Sequence, residues 1–329
     1  MYKTIPVIAA LCAVAACANT SGNTDTTCQA LQQSTAAPAN TAWSGTIFTI
    51  VMENHNASDI FGNSAAPFIN QLAAQNAVAG GYHDPYIHPS EPNYLWMVAG
   101  ENFGILDDND PSSHSIASTS HLADQLELAG ISWKAYEEGM GSPCGLVSHG
   151  RYAAKHDPFV FFNDINGWDG TEFQPSQRCN DHVVDYSQLD ADIAANALPR
   201  YVFITPDLDD DMHDGTIQQG DQWLANEVPK LLGLDAFNNG GAIFLLWDEG
   251  SGSLDPGDDP PFLVISPNAK PGFVSSTDYD TSSFLKTVQT LFALQPLPCA
   301  APAAAADAEP MTDLFQVPLT PASAPQPQP

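Results

Sequence analysis

Apolar runs separated by polar, Gly- and Pro-containing segments predict that strands and helices alternate along this chain. Most of the apolar runs are continuous, as expected of strands buried on both faces of a sheet. The predicted strands are residues 47–52, 133–136, 201–204, 242–247 and 262–265. The predicted helices are residues 65–78, 120–129, 219–233 and 281–293. This alternation favours a three-layer α/β/α fold with a mostly parallel central sheet.

The N-terminus has the features of an export signal. Residues 1–16 contain Lys3 and an apolar stretch that is too short to span a membrane, which takes roughly 20 residues. The stretch ends in Val-Ala-Ala-Cys17, which resembles a bacterial lipobox with Cys17 as the lipidated first residue. Ordinary signal cleavage near Ala16 or Ala18, without a lipid, is the alternative. We therefore expect either a lipoprotein of the bacterial cell envelope (outer membrane or periplasm) or a secreted protein.

Composition divides the rest of the chain into three parts. Residues 17–40 are rich in small polar residues and predict a flexible tether, and residues 297–329 form an Ala/Pro-rich tail. Within that tail, residues 311–315 are expected to pack on the domain. The α/β domain itself spans residues 41–296, and its segment 100–185, with two cysteines and several aromatic residues, is expected to cap the active site.

The cysteines predict disulfide bonds. Apart from Cys12 in the signal and Cys17, four remain, an even number in an exported chain. These four are Cys28, Cys144, Cys179 and Cys299. Three pairings are possible, and we favour Cys144–Cys179, which closes a local segment, together with Cys28–Cys299, which joins the two ends.

The net charge of −30, from 9 basic and 39 acidic residues, limits the partners of the protein. Binding to nucleic acid or to an anionic membrane through a basic patch is excluded, because phosphate contacts need Lys and Arg. Binding of cations is compatible with this charge.

Polar residues follow three of the predicted strands directly. Glu53 and Asn54 follow the first, Asp248 and Glu249 follow residues 242–247, and the acidic segment 207–214 follows residues 201–204. The carboxyl ends of parallel strands meet at one edge of a sheet, so these oxygen and imidazole groups predict a divalent metal site there.

Other acidic segments do not predict a metal site. An EF-hand in segment 207–218 is excluded, because Met212 stands where that loop needs Gly and Gln218 where it needs Glu. The acidic runs 107–110 and 255–259 are expected to be solvated loops.

The nucleophile is not given by a common motif. The chain has no G-x-S-x-G elbow, no P-loop and no G-x-G-x-x-G sequence. Ser90 stands just before a helix-like stretch, where backbone N–H groups and the positive end of the helix dipole would bind an anion. On its position alone, Ser90 is also typical of a helix N-cap.

Five separated motifs together resemble one known family. They are Met52-Glu53-Asn54, Ser90-x-Pro92-Asn93-Tyr94, Lys155-His156-x-Pro158, Asp211-Met212-His213-Asp214-Gly215 and Trp247-Asp248-Glu249-Gly250. Their order resembles the phosphoesterase family of bacterial and fungal acid phosphatases and phosphatidylcholine-type phospholipases C. That family belongs to the alkaline-phosphatase-like superfamily, and the resemblance covers residues 44–294.

The resemblance implies a role for each motif residue. It implies Ser90 as the nucleophile and His213 as the general acid. It implies a metal set consisting of Glu53, Asn54, Ser90, Asp248 and Glu249. It implies a phosphate-binding set consisting of Asn93, Lys155, His156 and Asp214. The remaining histidines, among them His88, are expected to be surface or capping residues.

Two positions depart from the family pattern. Thr281 stands where relatives usually have His, and Asp258-Asp259 precedes Pro260 where relatives often have His. Both departures favour a site with one metal ion, whose identity is open.

The expected activity is hydrolysis of phosphate monoesters through a phosphoserine intermediate, as in an acid phosphatase. A phospholipase C acting on phosphodiester head groups is the alternative. From another class, a non-catalytic cell-surface metal-binding protein on the same scaffold also stays open.

Overall fold

The computed structural model describes residues 43–251, 259–294 and 308–316. Its strands are β1 Ile47–Met52, β2 Ala77–His83, β3 Trp133–Glu137, β4 Val183–Asp185, β5 Tyr201–Thr205, β6 Ala242–Trp247, β7 Phe262–Ile265 and β8 Phe273–Asp280. All five predicted strands are confirmed. The signal, the tether and the sites predicted at Cys17, Cys28 and Cys299 lie outside the described residues.

The described strands form one sheet in the order β4-β3-β5-β1-β6-β7-β2-β8. Every pairing is parallel except those of β7, which runs antiparallel to β6 and β2. The mostly parallel sheet is therefore confirmed. Strands β2, β4 and β8 were not predicted: β2 contains Gly80 and Gly81, β4 has three residues, and β8 is a largely polar edge strand.

The helices are α1 Ala57–Ile60, α2 Pro67–Gln75, α3 Ser90–Ala99, α4 Leu122–Leu128, α5 Asn163–Asn166, α6 Gln177–His182, α7 Gln188–Ala194, α8 Ile217–Leu232, α9 Asp235–Asn238 and α10 Thr281–Leu291. Three predicted helices agree with α4, α8 and α10 within two residues at each end. The helix predicted over 65–78 ends earlier, at Gln75, because residues from Ala77 onward pair in the sheet as β2.

Helices cover both faces of the sheet, and the alternation of side chains along β1 shows how. Ile47 and Val51 pack in a core beneath α3, α4 and α10. Phe48 and Ile50 point to the opposite face and pack in a core with α2 and α8. Because both faces are buried, β1 is apolar at nearly every position, which is the three-layer arrangement expected from the sequence.

The segment 311–315 packs on the domain, as predicted. Met311, Leu314 and Phe315 are buried, and the Phe315 ring lies 5.8 Å from that of Trp43. Asp313 accepts a hydrogen bond from the Tyr279 hydroxyl at 2.7 Å.

The segment 100–185 only partly stands apart from the sheet. Strand β3 lies within it, and β4 begins at its end, so its two ends are built into the layer structure. The predicted Cys144–Cys179 disulfide is present, with 5.3 Å between the Cα atoms. The capping role of the segment stays a prediction. No helix among the described residues is long and apolar enough to cross a membrane.

Candidate active site

The site forms where three adjacent parallel strands end. Strand β1 lies between β5 and β6, so Glu53 after β1, Asp248 after β6 and Asp211 in the loop after β5 meet at one edge. All three carboxylates are fully buried. The Glu53 amide donates to the Asp211 carbonyl at 2.8 Å, which ties the β1 and β5 loops together.

Helix α3 brings the predicted nucleophile to this edge. Ser90 is the first residue of α3, is buried, and donates its hydroxyl hydrogen bond to Glu53 Oε2 at 3.0 Å. Asn93, three residues later on the same helix face, donates from Nδ2 to Glu249 Oε2 at 2.8 Å. One helix face therefore contacts a carboxylate from each of two strand ends.

Tyr94 is a site residue that sequence reasoning did not single out. Its hydroxyl donates to Glu53 Oε1 at 2.5 Å, and its ring stacks on His156 with 4.9 Å between centroids. The spacing of four residues from Ser90 could have indicated it, since residues i and i+4 share a helix face.

His156 lies among carboxylates. Its Nε2 is 3.4 Å from Glu53 Oε1, and its Nδ1 is 3.5 Å from Asp211 Oδ2. The side chain is almost wholly buried, and burial holds its pKa well below the usual range. Its predicted part in phosphate binding is not tested by this geometry, which equally suits a neutral imidazole ligand.

His213 and Asp214 form a pair at the outer side of the site. The His213 ring lies 5.8 Å from that of His156, and its Nδ1 is 2.8 Å from Asp214 Oδ1. The hydrogen bond with His213 is the main reason that the pKa of Asp214 is lowered, so an ionised carboxylate accepts from the imidazole. Asp214 also binds Arg151 at 2.6 Å, and it therefore orients His213.

The buried acidic groups fit a divalent cation. Among the described residues, several buried side-chain atoms around this point have no hydrogen-bond partner. They include Asn93 Oδ1, His88 Nε2, His156 Nε2, Asp211 Oδ2 and Asp248 Oδ2. Unpaired buried carboxylates are costly unless a cation offsets their charge, and oxygen and imidazole atoms are suitable ligands.

The directions in which the site shifts the pKa values of its carboxyl groups also favour a bound cation. Burial, followed by the charges of neighbouring carboxylates, raises the pKa of Glu53 and of Asp211 well above their usual ranges. Burial raises the pKa of Asp248 to about 7, and burial together with the charge of Asp248 raises the pKa of Glu249 to about 10. A bound cation would reverse these shifts, because it stabilises the ionised forms.

Asn54 lies within the acidic group. Its side-chain amide is 3.0 Å from Glu53, 3.3 Å from Asp248 and 3.2 Å from Glu249, and its backbone φ of 49° is in the left-handed region. Asn tolerates that conformation better than most residues. The predicted metal set of Glu53, Asn54, Ser90, Asp248 and Glu249 is thus brought together.

His88 was predicted to be a surface or capping residue, and that prediction was wrong. Its Nδ1 lies 2.7 Å from Glu249 Oε2, which also accepts from Asn93. Asp84 accepts from the Gly250 amide at 3.1 Å and holds the loop that follows Glu249. Neither contact could be found by sequence reasoning, because both partners are more than 150 residues away.

The acidic run 107–110 lies in a loop with Asp107 and Asn109 exposed, as predicted, but two of its carboxylates also make specific contacts. Asp108 accepts from the Glu91 amide at 3.0 Å and from Lys155 Nζ at 2.6 Å, and Asp110 accepts from the Ser148 hydroxyl at 2.6 Å. Lys155, predicted to bind phosphate, is therefore engaged with Asp108. Residues 255–258 of the other run lie outside the described residues.

Thr281, the departure from the family pattern, is buried at the start of α10. Its hydroxyl lies 3.1 Å from the Tyr82 hydroxyl, and both groups are buried. Asp259 contributes its backbone carbonyl, which accepts from the Ala57 amide at 2.7 Å.

Comparisons with known proteins agree with the motifs. A family model described as the phosphoesterase family matches residues 17–295. The chain is 31% identical over 271 residues to a phosphatidylinositol-3-phosphatase of Mycobacterium tuberculosis, with 82% of each chain covered. It is 30% identical over 210 residues to a probable acid phosphatase of Kluyveromyces lactis, covering 61% of this chain and 47% of that protein. The chain thus spans about half the length of that fungal relative.

The fold has solved counterparts. A protein of the alkaline phosphatase superfamily from Vibrio parahaemolyticus matches with a TM-score of 0.54 at 9% identity, covering 84% of this chain and 73% of that one. At that identity the match shows the fold alone, and it confirms the alkaline-phosphatase-like architecture.

Proposed function

This chain belongs to the phosphoesterase family, and we propose that it is a metal-dependent hydrolase of phosphate monoesters with Ser90 as its nucleophile. The observation that carries the proposal is the hydrogen bond from Ser90 Oγ to Glu53 Oε2 at 3.0 Å. This hydrogen bond places the buried Ser90 hydroxyl, at the N-terminus of α3, against the fully buried carboxylates of the site. A structural N-cap serine would instead accept a hydrogen bond from its own helix.

The metal would be held by Glu53, Asn54, Asp248 and Glu249, with Ser90 beside it. When bound, a divalent cation lowers the pKa of a hydroxyl and offsets charge on phosphoryl oxygens. The unpartnered oxygens of Asp211 and Asp248 and the raised carboxyl pKa values support a cation here.

The chain's own groups then account for the reaction. Ser90 Oγ forms a bond to phosphorus and gives its proton to the Glu53 carboxylate that accepts its hydrogen bond, while the bond from phosphorus to the leaving oxygen breaks, which leaves a phosphoserine. His213, whose Nδ1 is 2.8 Å from Asp214 Oδ1, would protonate the leaving oxygen from its other ring nitrogen. Water then hydrolyses the phosphoserine and releases phosphate. Asn93 Nδ2, which donates to Glu249 and to the Ile87 carbonyl, would turn from Glu249 to donate to a phosphoryl oxygen.

The proposed substrate class is phosphate monoesters. Two relatives with different lengths are both named as phosphatases, which supports this choice over a phospholipase C. The phospholipase C alternative predicts instead a preference for a phosphocholine ester. The non-catalytic alternative predicts cation binding without turnover of any ester.

Hydrolysis assays distinguish these three functions. We would measure turnover of p-nitrophenyl phosphate, p-nitrophenyl phosphorylcholine and the bis-ester from about pH 4 to about pH 9, with and without chelator. The expected result is chelator-sensitive turnover that is fastest for the monoester and falls about 10³-fold or more in Ser90→Ala. Ser266→Ala is the matched control, because that buried serine binds the Gly241 carbonyl at the opposite edge of the sheet.

Either of two results would reject the proposal. Equal turnover in Ser90→Ala and the parent would remove Ser90 from the reaction. Stoichiometric metal binding with no turnover of the three esters would favour the non-catalytic scaffold.

We propose in addition that the protein is exported and anchored through Cys17. The Cys144–Cys179 disulfide supports an oxidising compartment. Incorporation of labelled fatty acid into the parent, and its loss in Cys17→Ser, would test the anchor. Incorporation of the fatty acid label into the Cys17→Ser variant would reject anchoring through Cys17.

A further inference from the structure

The start of α3 offers few backbone donors for an anion. An α-helix leaves its first four N–H groups without partners inside the helix. At the start of α3, two of these four positions are Pro89 and Pro92, which have no N–H group. The amides of Ser90 and Glu91 are therefore the ones available beside the nucleophile. The Glu91 amide donates to Asp108 Oδ1 at 3.0 Å.

The other oxygen of Asp108 accepts from a second donor. Lys155 Nζ lies 2.6 Å from Asp108 Oδ2, and Lys155 also interacts electrostatically with Glu53 and Asp248. One carboxylate thus joins a helix-terminal amide and an ammonium group from different parts of the chain. A phosphoryl group bound at Ser90 would need the same two kinds of donor.

We propose that the Asp108 carboxylate is an internal substitute for the phosphoryl group, which occupies the Glu91 amide and Lys155 in the free enzyme and is displaced by substrate. This inference rests on the proposed function of Ser90. It explains why Lys155, predicted to bind phosphate, is paired with a carboxylate in the structure.

The surrounding contacts allow the exchange. The Asp108 side chain is 25% exposed and that of Lys155 is 17% exposed, so the ion pair borders solvent. Its neighbours in the run are held elsewhere, since Asp107 contacts His114 and Asp110 contacts Ser148. Rotation of the Asp108 side chain is therefore enough, and the backbone of the run can stay in place.

Inorganic phosphate is the probe for this exchange. In the metal-loaded full chain, we would measure its inhibition constant against p-nitrophenyl phosphate hydrolysis, and its equilibrium binding in a Ser90→Ala background. Asp108→Asn and Asp108→Ala are each expected to bind phosphate roughly two- to fivefold more tightly, the factor that an ion pair bordering solvent represents. Thermal melting would verify that each variant is folded.

Two controls separate competition from general electrostatics. Asp110→Asn removes the same charge from the same run without touching either donor, and its phosphate affinity is expected to equal that of the parent. In a Lys155→Met background, Asp108→Asn is expected to increase phosphate affinity much less, because the ammonium group for which Asp108 and phosphate compete is absent.

The outcomes distinguish this inference from the proposed function. If the parent hydrolyses the monoester but phosphate affinity is unchanged or weaker in both Asp108 variants, Asp108 is a scaffold residue and the inference alone fails. An equal gain in Asp110→Asn would also overturn it. If the parent neither turns over the monoester nor binds phosphate, both the proposed function and this inference fail.

Discussion

Tyr94 donates a 2.5 Å hydrogen bond to Glu53, and through it the helix that starts with Ser90 is joined to the end of β1. Ser90 donates to the other oxygen of the same carboxylate at 3.0 Å. Both carboxylate oxygens of Glu53 are thus oriented by residues that lie one helical turn apart. A carboxylate held at both oxygens is prepared to bind a cation with little rearrangement.

Replacing Tyr94 by Phe removes only the hydroxyl and keeps the ring that stacks on His156. We expect metal affinity to fall about 10-fold, the size found when a group that orients a metal ligand is lost. Metal titration by calorimetry measures this change. Tyr201→Phe is the control, because that buried hydroxyl pairs with Thr49 within the sheet. Equal metal affinity in the parent and Tyr94→Phe would contradict the prediction.

His213→Gln tests the general acid through the leaving group. Proton donation matters most when the leaving oxygen is strongly basic, so hydrolysis of phenyl phosphate should fall about 10²-fold. The fall should be much smaller for p-nitrophenyl phosphate, whose leaving group needs little protonation. Steady-state kcat with both esters measures the difference.

His149→Gln is the control for that comparison, because His149 is exposed and packs against Tyr152. A loss in His213→Gln that is equal for the two esters would show that His213 positions the substrate and does not protonate the leaving group.

Removal of metal is expected to expose the repulsion among the buried carboxylates. Chelator should lower the melting temperature of the parent, and added divalent cation should restore it, because the ion binds the folded state. In Asp248→Asn, one repelling charge is gone while the side-chain shape is kept. The metal-free variant should therefore melt higher than the metal-free parent and gain less from added metal.

Differential scanning fluorimetry of the parent and of Asp248→Asn, each with chelator and with metal, gives the four melting temperatures to be compared. Asp235→Asn, in the short helix α9, provides a control with the same chemical change. If chelator leaves the parent unchanged and Asp248→Asn melts lower, the carboxylates do not form a cation site.

Glu138, which lies outside the Ser90 site, is expected to make the stability of the protein depend on pH. Burial raises its pKa to about 7, and its carboxylate accepts from the Asp207 amide at 3.0 Å. A carboxyl whose pKa is raised on folding stabilises the protein at low pH, and this contribution is lost as pH rises through about 7. Glu138→Gln should thus be more stable than the parent at alkaline pH.

We expect the gain to be about 1 kcal/mol or less, because Glu138 is only partly buried, and to vanish in acid. Urea unfolding on either side of neutrality measures it. Glu172→Gln, on an exposed loop, should show the same difference from the parent at both pH values. A Glu138→Gln gain that does not change with pH would argue against titration of Glu138.

Local pattern alone was enough to predict the elements whose burial is uniform. Residues 47–52 and 242–247 are apolar on both faces, so their limits were predicted to the residue. The edge strand β8 has few buried positions and many exposed polar ones, so its local pattern does not predict a strand. Its pairing with β2 makes it one. The first two residues of its partner β2 were predicted as the end of a helix, because Gly80 and Gly81 interrupt the strand pattern that follows them.

The sequence by itself determined which residue types stand at the strand ends and which motifs follow them. Glu53 and Asp248 could be named because strand direction brings carboxyl ends to one edge of a parallel sheet, and Ser90 could be named from its place before a helix and from the family resemblance. The tertiary structure alone decided that Tyr94 shares Glu53 with Ser90, that His88 binds Glu249, and that Asp108 holds Lys155. These contacts join segments that are far apart in the chain, and their geometry depends on how the helices pack on the sheet, which no local pattern specifies.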